Sequence, residues 1–80
     1  MLKIDLLLRN SNFTLSVLRK SEEEANALFE KLMAAMNAEK IQLLKLTCVR
    51  LCRMPEAYRH TKTKIAILSN EIIAINLTEN

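Results

Sequence analysis

The residues best suited to chemistry are the two cysteines and the single histidine, which lie near one another at Cys48, Cys52 and His60. Thiolates and imidazoles bind zinc, and a thiolate beside an imidazole is a common nucleophilic pair. A structural zinc site needs four ligands, often with a Cys-x2-Cys pair, and only Glu56 stands near as a fourth. No nucleophile elbow or orienting third group accompanies the pair. We therefore expect no metal, no cofactor and no enzymatic activity, with Cys48 a small buried strand residue and Cys52 an ordinary loop thiol.

The carboxylates offer a second route to chemistry, since two paired carboxylates in unlike environments can divide acid and base roles. Asp5 and Glu71 fall in strand or turn contexts, and Glu22, Glu23 and Glu24 stand together. We interpret Asp5 as a residue of a solvent-facing strand surface. The three glutamates are typical of a helix start, where the dipole favours negative charge.

A basic segment over 50–64 is the strongest functional candidate. It holds five cations and one acid, a formal +4, whereas the whole chain is +3, so the rest of the chain sums to −1. Tyr58 could stack on a base while the cations bind phosphates, but it is the segment's one aromatic and no RNA-binding motif is present. We expect a protein partner in preference to nucleic acid. The candidate partner-binding residues are Arg50, Arg53, Tyr58, Arg59, His60 and Lys62.

Composition excludes several classes of protein. The chain of 80 residues contains no glycine, so neither a Rossmann fingerprint nor a P-loop is present, and turns with positive φ should fall to asparagine. No apolar run approaches the roughly 20 residues of a membrane-spanning helix. The alternating, acid-containing start resembles no targeting segment. In an extended segment, Cys48 and Cys52 would stand about 13 Å apart, beyond disulfide reach, which favours a reducing, cytoplasmic compartment.

Periodicity predicts the elements that position these residues. Apolar residues alternate over Leu2–Leu8 and again from Phe13 to Val17, with turn residues at 10–12, which predicts a hairpin. Ser21 followed by Glu24 is typical of a capping box, and it predicts a helix from about Glu22 to Ala38. The predicted apolar face of this helix consists of Ala25, Leu28, Phe29, Leu32 and Met36.

The C-terminal half predicts further strands. A third begins near Ile41 and includes Cys48, a fourth spans Lys64–Leu68, and Ile72–Leu77 is a fifth strand or the continuation of the fourth after a bend. The stretch 51–63 is too long for a tight hairpin and is predicted to be a basic loop insertion. The whole is a single α+β domain over 1–80, in the order β-β-α-β-β(β), with one helix packed on a small, mostly antiparallel sheet.

Several short motifs recur in the order found in a known family. They are Ile4-Asp5-Leu6 with Arg9, Ser16-Val17, Arg19-Lys20, Glu24-Ala25, Ala35-Met36, Leu46-Thr47-Cys48, and Lys64-Ile65-Ala66-Ile67-Leu68-Ser69 with Glu71-Ile72 and Ala74. Over about 1–77, apart from 51–63, the chain resembles a family of short, uncharacterised proteins of cyanobacteria and algal plastids. The resemblance implies a cytoplasmic or stromal protein and brings no catalytic residues. It also implies that 51–63 is an insertion of roughly ten residues.

These observations together predict a small, basic, non-enzymatic accessory protein that acts by protein–protein contact. The contact would be either self-association through an exposed sheet edge or docking to a larger assembly. The alternative is a weak nucleic-acid-binding module that uses the basic segment over 50–64.

Overall fold

A computed structural model of the chain describes residues 2–9, 11, 13–53 and 59–79, with 13, 51–53 and 59–63 described by their backbone alone. The described residues form one α-helix, five strands and a 3₁₀ turn. The five strands make one sheet, every neighbouring pair is antiparallel, and the helix packs on one face of it. The predicted α+β class and order are therefore confirmed. The elements are β1 (Leu2–Leu8), β2 (Phe13–Arg19), α1 (Glu22–Asn37), β3 (Leu43–Arg53), β4 (Arg59–Leu68), the 3₁₀ turn (Ser69–Glu71) and β5 (Ile72–Glu79).

The N-terminal hairpin forms where alternation predicted it. Leu2 lies opposite Arg19 and Leu7 opposite Thr14, so the two strands pair along almost their whole length. Successive side chains of a strand point to opposite faces, and one face of this hairpin is apolar. Of the predicted turn, Ser11 is described, while Asn10 and Asn12 lie outside the described residues.

The helix begins at the predicted cap. The Glu24 N–H donates to the Ser21 hydroxyl oxygen at 3.2 Å, which satisfies one of the helix's unpaired N-terminal donors. The helix ends at Asn37, one residue before the predicted end. Its predicted apolar face does meet the sheet, although the most buried positions include Ala35, which periodicity left out, while Leu28 is only half-buried.

The core lies between α1 and the helix-facing side of the sheet. Ile4, Leu6, Leu15, Val17 and Leu32 are all fully inaccessible to solvent. Burial of each such side chain contributes about 1.5–3 kcal/mol, which makes this layer the main source of stability. The other buried members of the cluster are Ala35, Leu44, Leu46, Val49 and Ile72.

The sheet is curled, and the 3₁₀ turn joins its two edges. The strand order β4-β3-β2-β1-β5 puts β4 and β5 at opposite edges, about 19 Å apart in a flat sheet. Four Cα steps from Leu68 to Ile72 span at most about 14 Å. The predicted fifth strand is therefore not a continuation of the fourth beside it. The chain passes from β4 to β5 at the opposite edge within a few residues, which is possible because the sheet is bent so that the two edges approach each other.

A bulge at Cys48 accompanies this bend. Cys48 has φ 58°, and the pairing of β3 with β4 shifts register between Leu46 and Val49. The extra residue reverses the alternation, so that Leu46 and Val49 both face the core and Cys48 is exposed. The prediction that Cys48 is buried is wrong for this reason. Among the described residues, the position with positive φ is this cysteine, whereas Asn10 and Asn12, the turn asparagines expected to take positive φ, lie outside the described residues.

Strands β3 and β4 are longer than predicted. Residues 51–53 belong to β3 and 59–63 to β4, with Leu51 opposite Arg59. The predicted loop over 51–63 is therefore mostly strand, because 51–53 pair with β2 and 59–63 continue β4 beside β3. Tyr58 and the rest of 54–58 lie outside the described residues.

Replacing Ser21 by Ala removes the cap hydrogen bond and should lower the free energy of unfolding by about 1 kcal/mol. Urea unfolding followed by circular dichroism measures the change. Ser21→Asp is the control, because aspartate accepts the same bond. Equal stability of the Ala and Asp variants would contradict the capping role.

Replacing Cys48 by Val puts a β-branched residue at positive φ and should cost about 1–2 kcal/mol of stability. Thr47→Val is the matched control, because Thr47 is an exposed neighbour in the same strand and should change stability by less than about 0.5 kcal/mol. Urea midpoints of the two variants test this. Similar losses in both would show that the bulge does not constrain this position.

Candidate functional site

The sheet surface that faces away from α1 collects cations from three strands. Alternation turns Lys3 outward beside the buried Ile4, and Lys45 outward between Leu44 and Leu46. The same alternation places Arg50 and Lys64 on this surface, together with one carboxylate. We call it the basic sheet face, and among the described side chains its charged members are Lys3, Lys45, Arg50, Lys64 and Asp5, a formal +3.

The helix on the opposite side of the sheet carries the opposite charge. Within Glu22–Asn37 four glutamates stand against one lysine, a formal −3. All five of these side chains are exposed, and they are Glu22, Glu23, Glu24, Glu30 and Lys31. The fold therefore separates the charges of a modestly basic chain onto two faces.

A polar row crosses the middle of the basic sheet face. Asp5 lies opposite Ser16, and Ser16 lies opposite Arg50, on three adjacent strands. The Ser16 hydroxyl donates to Asp5 Oδ1 at 2.6 Å, and Lys3 Nζ lies 3.9 Å from Asp5 Oδ2. Hydrogen bonds to an ionised acceptor are stronger than neutral ones, so this pair holds β1 and β2 together from outside the core.

The polar row is closely packed although it lies on the side of the sheet away from α1. Ser16 is only 5% exposed, and Arg50 is half-buried with its Nε atom inaccessible. A nucleophilic serine must reach its substrate and give its proton to a base, whereas Ser16 is closed off and its hydroxyl is engaged by Asp5. The row fixes the position of charged groups on the basic sheet face.

The structure places most of the sequence-predicted partner residues on two neighbouring strands. Arg50 and Arg53 belong to β3, while Arg59, His60 and Lys62 belong to β4. We call the paired segments 49–53 and 59–64 the β3–β4 ribbon. Arg50 is the one of these residues whose side chain is described, and it lies on the basic sheet face. Tyr58 falls outside the described residues.

The residue pairs that the sequence offered for catalysis, a cysteine with a histidine and two carboxylates, lie far apart along the strands. Leu46 lies opposite Ile65 and Val49 opposite Thr63, so Cys48 is level with about residue 64, which is four residues or about 13 Å along β4 from His60. Asp5 and Glu71 are likewise separated, because Glu71 bonds to Arg9, four residues and about 13 Å along β1 from Asp5. Among the residues whose side chains are described, which leave out Cys52 and His60, no group of three metal-ligating side chains forms.

Sequence reasoning missed three members of this surface: Lys3, Lys45 and Ser16. The alternation around Lys3 and Asp5 already contained the signal for the first, because it sets both residues on the face opposite Ile4 and Leu6. Counting charge along segments, as was done for 50–64, hid the fact that distant cations share one face.

Comparison with known proteins settles the family. The model of the UPF0367 protein family matches residues 3–80. The chain belongs to this family. A UPF0367 protein of Synechocystis sp. is 35% identical over 79 residues, which cover 99% of this chain and 75% of the relative. A UPF0367 protein of Gloeobacter violaceus is 33% identical over 78 residues, covering 98% of this chain and 74% of the relative.

Membership in the UPF0367 family confirms the resemblance found in the sequence, and these relatives are cyanobacterial. The family name assigns no activity, substrate or cofactor. No solved structure matches the chain. Among the described residues, no helix is long and apolar enough to cross a membrane.

The bond between Ser16 and Asp5 predicts a coupling in stability. Ser16→Ala should lower the free energy of unfolding by about 1–3 kcal/mol, because it leaves a half-buried carboxylate without its donor. In the double variant with Asp5→Asn, the losses should fall short of additivity by at least about 0.5 kcal/mol. Urea unfolding of the two single variants and the double variant measures this, and strict additivity would contradict the coupling.

Proposed function

We propose that this protein is a non-enzymatic interaction module that docks to an acidic protein partner through its basic sheet face. The observation that carries the proposal is the separation of charge, with a formal +3 on one face and −3 on the helix behind it. Such a dipolar surface orients an approaching partner and increases the rate of encounter with an acidic one. We place this contact in the cytoplasm of a cyanobacterium or in a plastid stroma.

Apolar side chains on the same face support a protein partner over nucleic acid. Leu7, Leu43 and Leu68 share the alternation of the face and are 48%, 58% and 45% exposed. Exposed leucines among charged residues supply the dry centre of a protein interface. Nucleic-acid surfaces instead use aromatic stacking, and the described side chains of this face include no aromatic residue.

The carboxylate at the middle of the face favours the same choice. Asp5 would repel a phosphate backbone laid across the strands, whereas a protein partner can offer it a donor. It lies 3.9 Å from the Lys3 ammonium, so the two charges partly offset each other. The remaining cations are Lys45, Lys64 and the half-buried Arg50.

The β3–β4 ribbon extends the proposed contact. Its backbone pairing continues the two strands that carry Arg50 and Lys64. Arg53, Arg59 and Lys62 follow along the same strands, with His60 and Tyr58 beside them in sequence. We propose that Lys62, two residues from Lys64 along β4, widens the docking surface, while Arg53 and Arg59, in register with Val49 and Leu51, extend the positive charge of the ribbon on its other face.

Charge reversal on the basic sheet face tests the proposal. We expect the purified chain to retain an acidic protein from a nuclease-treated cyanobacterial extract, identified by mass spectrometry. The double variant Lys45→Glu with Lys64→Glu should bind this protein at least about tenfold more weakly in a titration, because two attractive contacts become repulsive. Both side chains are exposed, so the substitutions should leave the fold intact.

The matched control reverses two cations that are not on this face. Lys31 on α1 and Lys40 after it are also exposed, and their double replacement by Glu changes the net charge equally. It should leave the affinity within about twofold. Equal weakening by both double variants would reduce the effect to net charge and refute a specific surface. Retention of nucleic acid, with a steep linear fall of log affinity against log salt, would establish the alternative function.

A further inference from the structure

The two edges of the sheet differ in how they are protected. Edge strands offer unpaired backbone groups to other chains, and charged residues, lysine above all, discourage such pairing. The β4 edge includes Arg59, Lys62 and Lys64. The β5 edge has no charged residue from Ile72 to Thr78 and contains no proline. One edge of this sheet is therefore guarded and the other is not.

Strand β5 has the character of an interior strand although it lies at an edge. Among the described residues it pairs only with β1, over the whole length from Ile72 to Glu79. Ile75 and Leu77 pack against the core yet stay half-buried, and Ile73 is 56% exposed. A neighbouring strand would cover the sides of these residues that α1 leaves open.

The charge pattern of β5 suits a second copy of itself. In antiparallel self-pairing, the one acid, Glu79, sits at opposite ends of the two strands, so like charges do not meet. Self-pairing of β4 would instead bring Arg59, Lys62 and Lys64 against identical cations. An isologous contact about a two-fold axis also closes on itself and leaves no further β5 edge open.

We propose that two copies of this protein pair through β5, antiparallel about a two-fold axis perpendicular to the sheet. The two five-stranded sheets then form one continuous sheet. Because paired strands keep their side-chain faces aligned, both basic sheet faces lie on one side of the dimer and both helices on the other. The dimer interface is separate from the basic sheet face, so this proposal stands or falls independently of the proposed function.

Sedimentation equilibrium of the full chain tests the dimer. We expect a mass that rises with concentration from 9.2 kDa towards twice that value, and little change with salt, because the contact is uncharged up to Thr78. Amide hydrogen exchange should slow in β5 as concentration increases, and change little in β4. A chain that stays monomeric at every concentration, or whose β5 amides are protected only by an added partner protein, overturns the proposal.

A lysine on the edge supplies the decisive variant. Asn76 is an exposed residue of β5, and Asn76→Lys should weaken self-association at least about tenfold, as lysines guard natural edges. Ile73→Lys, at a second exposed β5 position, should give the same loss, and circular dichroism confirms that each variant is folded. Thr47→Lys, exposed on the interior strand β3, is the matched control and should dimerise normally. A dimer that survives both β5 variants would place the interface elsewhere.

Discussion

The curled sheet depends on a few hydrogen bonds at the 3₁₀ turn. The Ser69 N–H donates to the Gln42 carbonyl at 2.8 Å, and the Gln42 N–H donates to the buried Ser69 hydroxyl at 2.9 Å. Two residues later, Glu71 accepts from the Arg9 N–H at 2.7 Å. The turn thus prolongs the β3–β4 ladder at its start and the β1–β5 ladder at its end. These bonds hold the turn against both ladders, while pairing with β1 holds β5 at the far edge.

Irregularities within the strands also bend the sheet. Bulges increase local twist and bend a strand. Besides the one at Cys48, a register shift lies between Leu7 and Leu8 where β1 pairs with β5. Arg9 adds a further tie, because its guanidinium donates to the Asn70 carbonyl at 3.3 and 3.4 Å. The strand irregularities and the turn therefore both contribute to the bending of the sheet.

The alternation of side chains along the strands gives the molecule its two unlike faces. One side of the sheet holds α1, whose exposed surface is acidic, and the other side shows the cations of β1, β3 and β4. A charge of +3 spread evenly over a small protein would be unremarkable. Here the fold concentrates the cations on one face, where the Asp5–Ser16 bond helps to fix the strands that carry them. The resulting surface potential has a direction, positive on one side of the sheet and negative on the other.

Local signals predicted the elements, and non-local pairing decided the rest. The cap at Ser21 and the alternation of Leu2–Leu8 involve neighbours in sequence, so the helix and the hairpin could be predicted. The bulge at Cys48 could not, because no glycine marks it and it appears only when Val49 pairs with Val17 and Thr63. The strand character of 59–63 was hidden for the same reason.

The candidate surface was predicted in part. Arg50 could be predicted because it belongs to a segment with a clear excess of positive charge. The structure does place it on the basic sheet face. Lys3 and Lys45 stand in segments without an excess of charge, and they join Arg50 only through the strand order. Counting charged residues along the sequence identifies charged segments. A charged face of a sheet, in contrast, forms from residues far apart in the chain that the strand order places side by side.

The pairing of β1 with β5 has a consequence for how the chain acquires its structure. Leu2 lies opposite Glu79, and Ile4 opposite Leu77, so β1 cannot complete its pairing until β5, which lies about 70 residues later, has left the ribosome. Contacts of such long sequence separation are slow to form, because a large loop must close first. During synthesis, Ile4 and Leu6 can pair with β2 but stay uncovered on the β5 side. A ribosome that stalls before 72–79 would therefore release a chain with an open, apolar edge, which a chaperone or protease would recognise as incomplete.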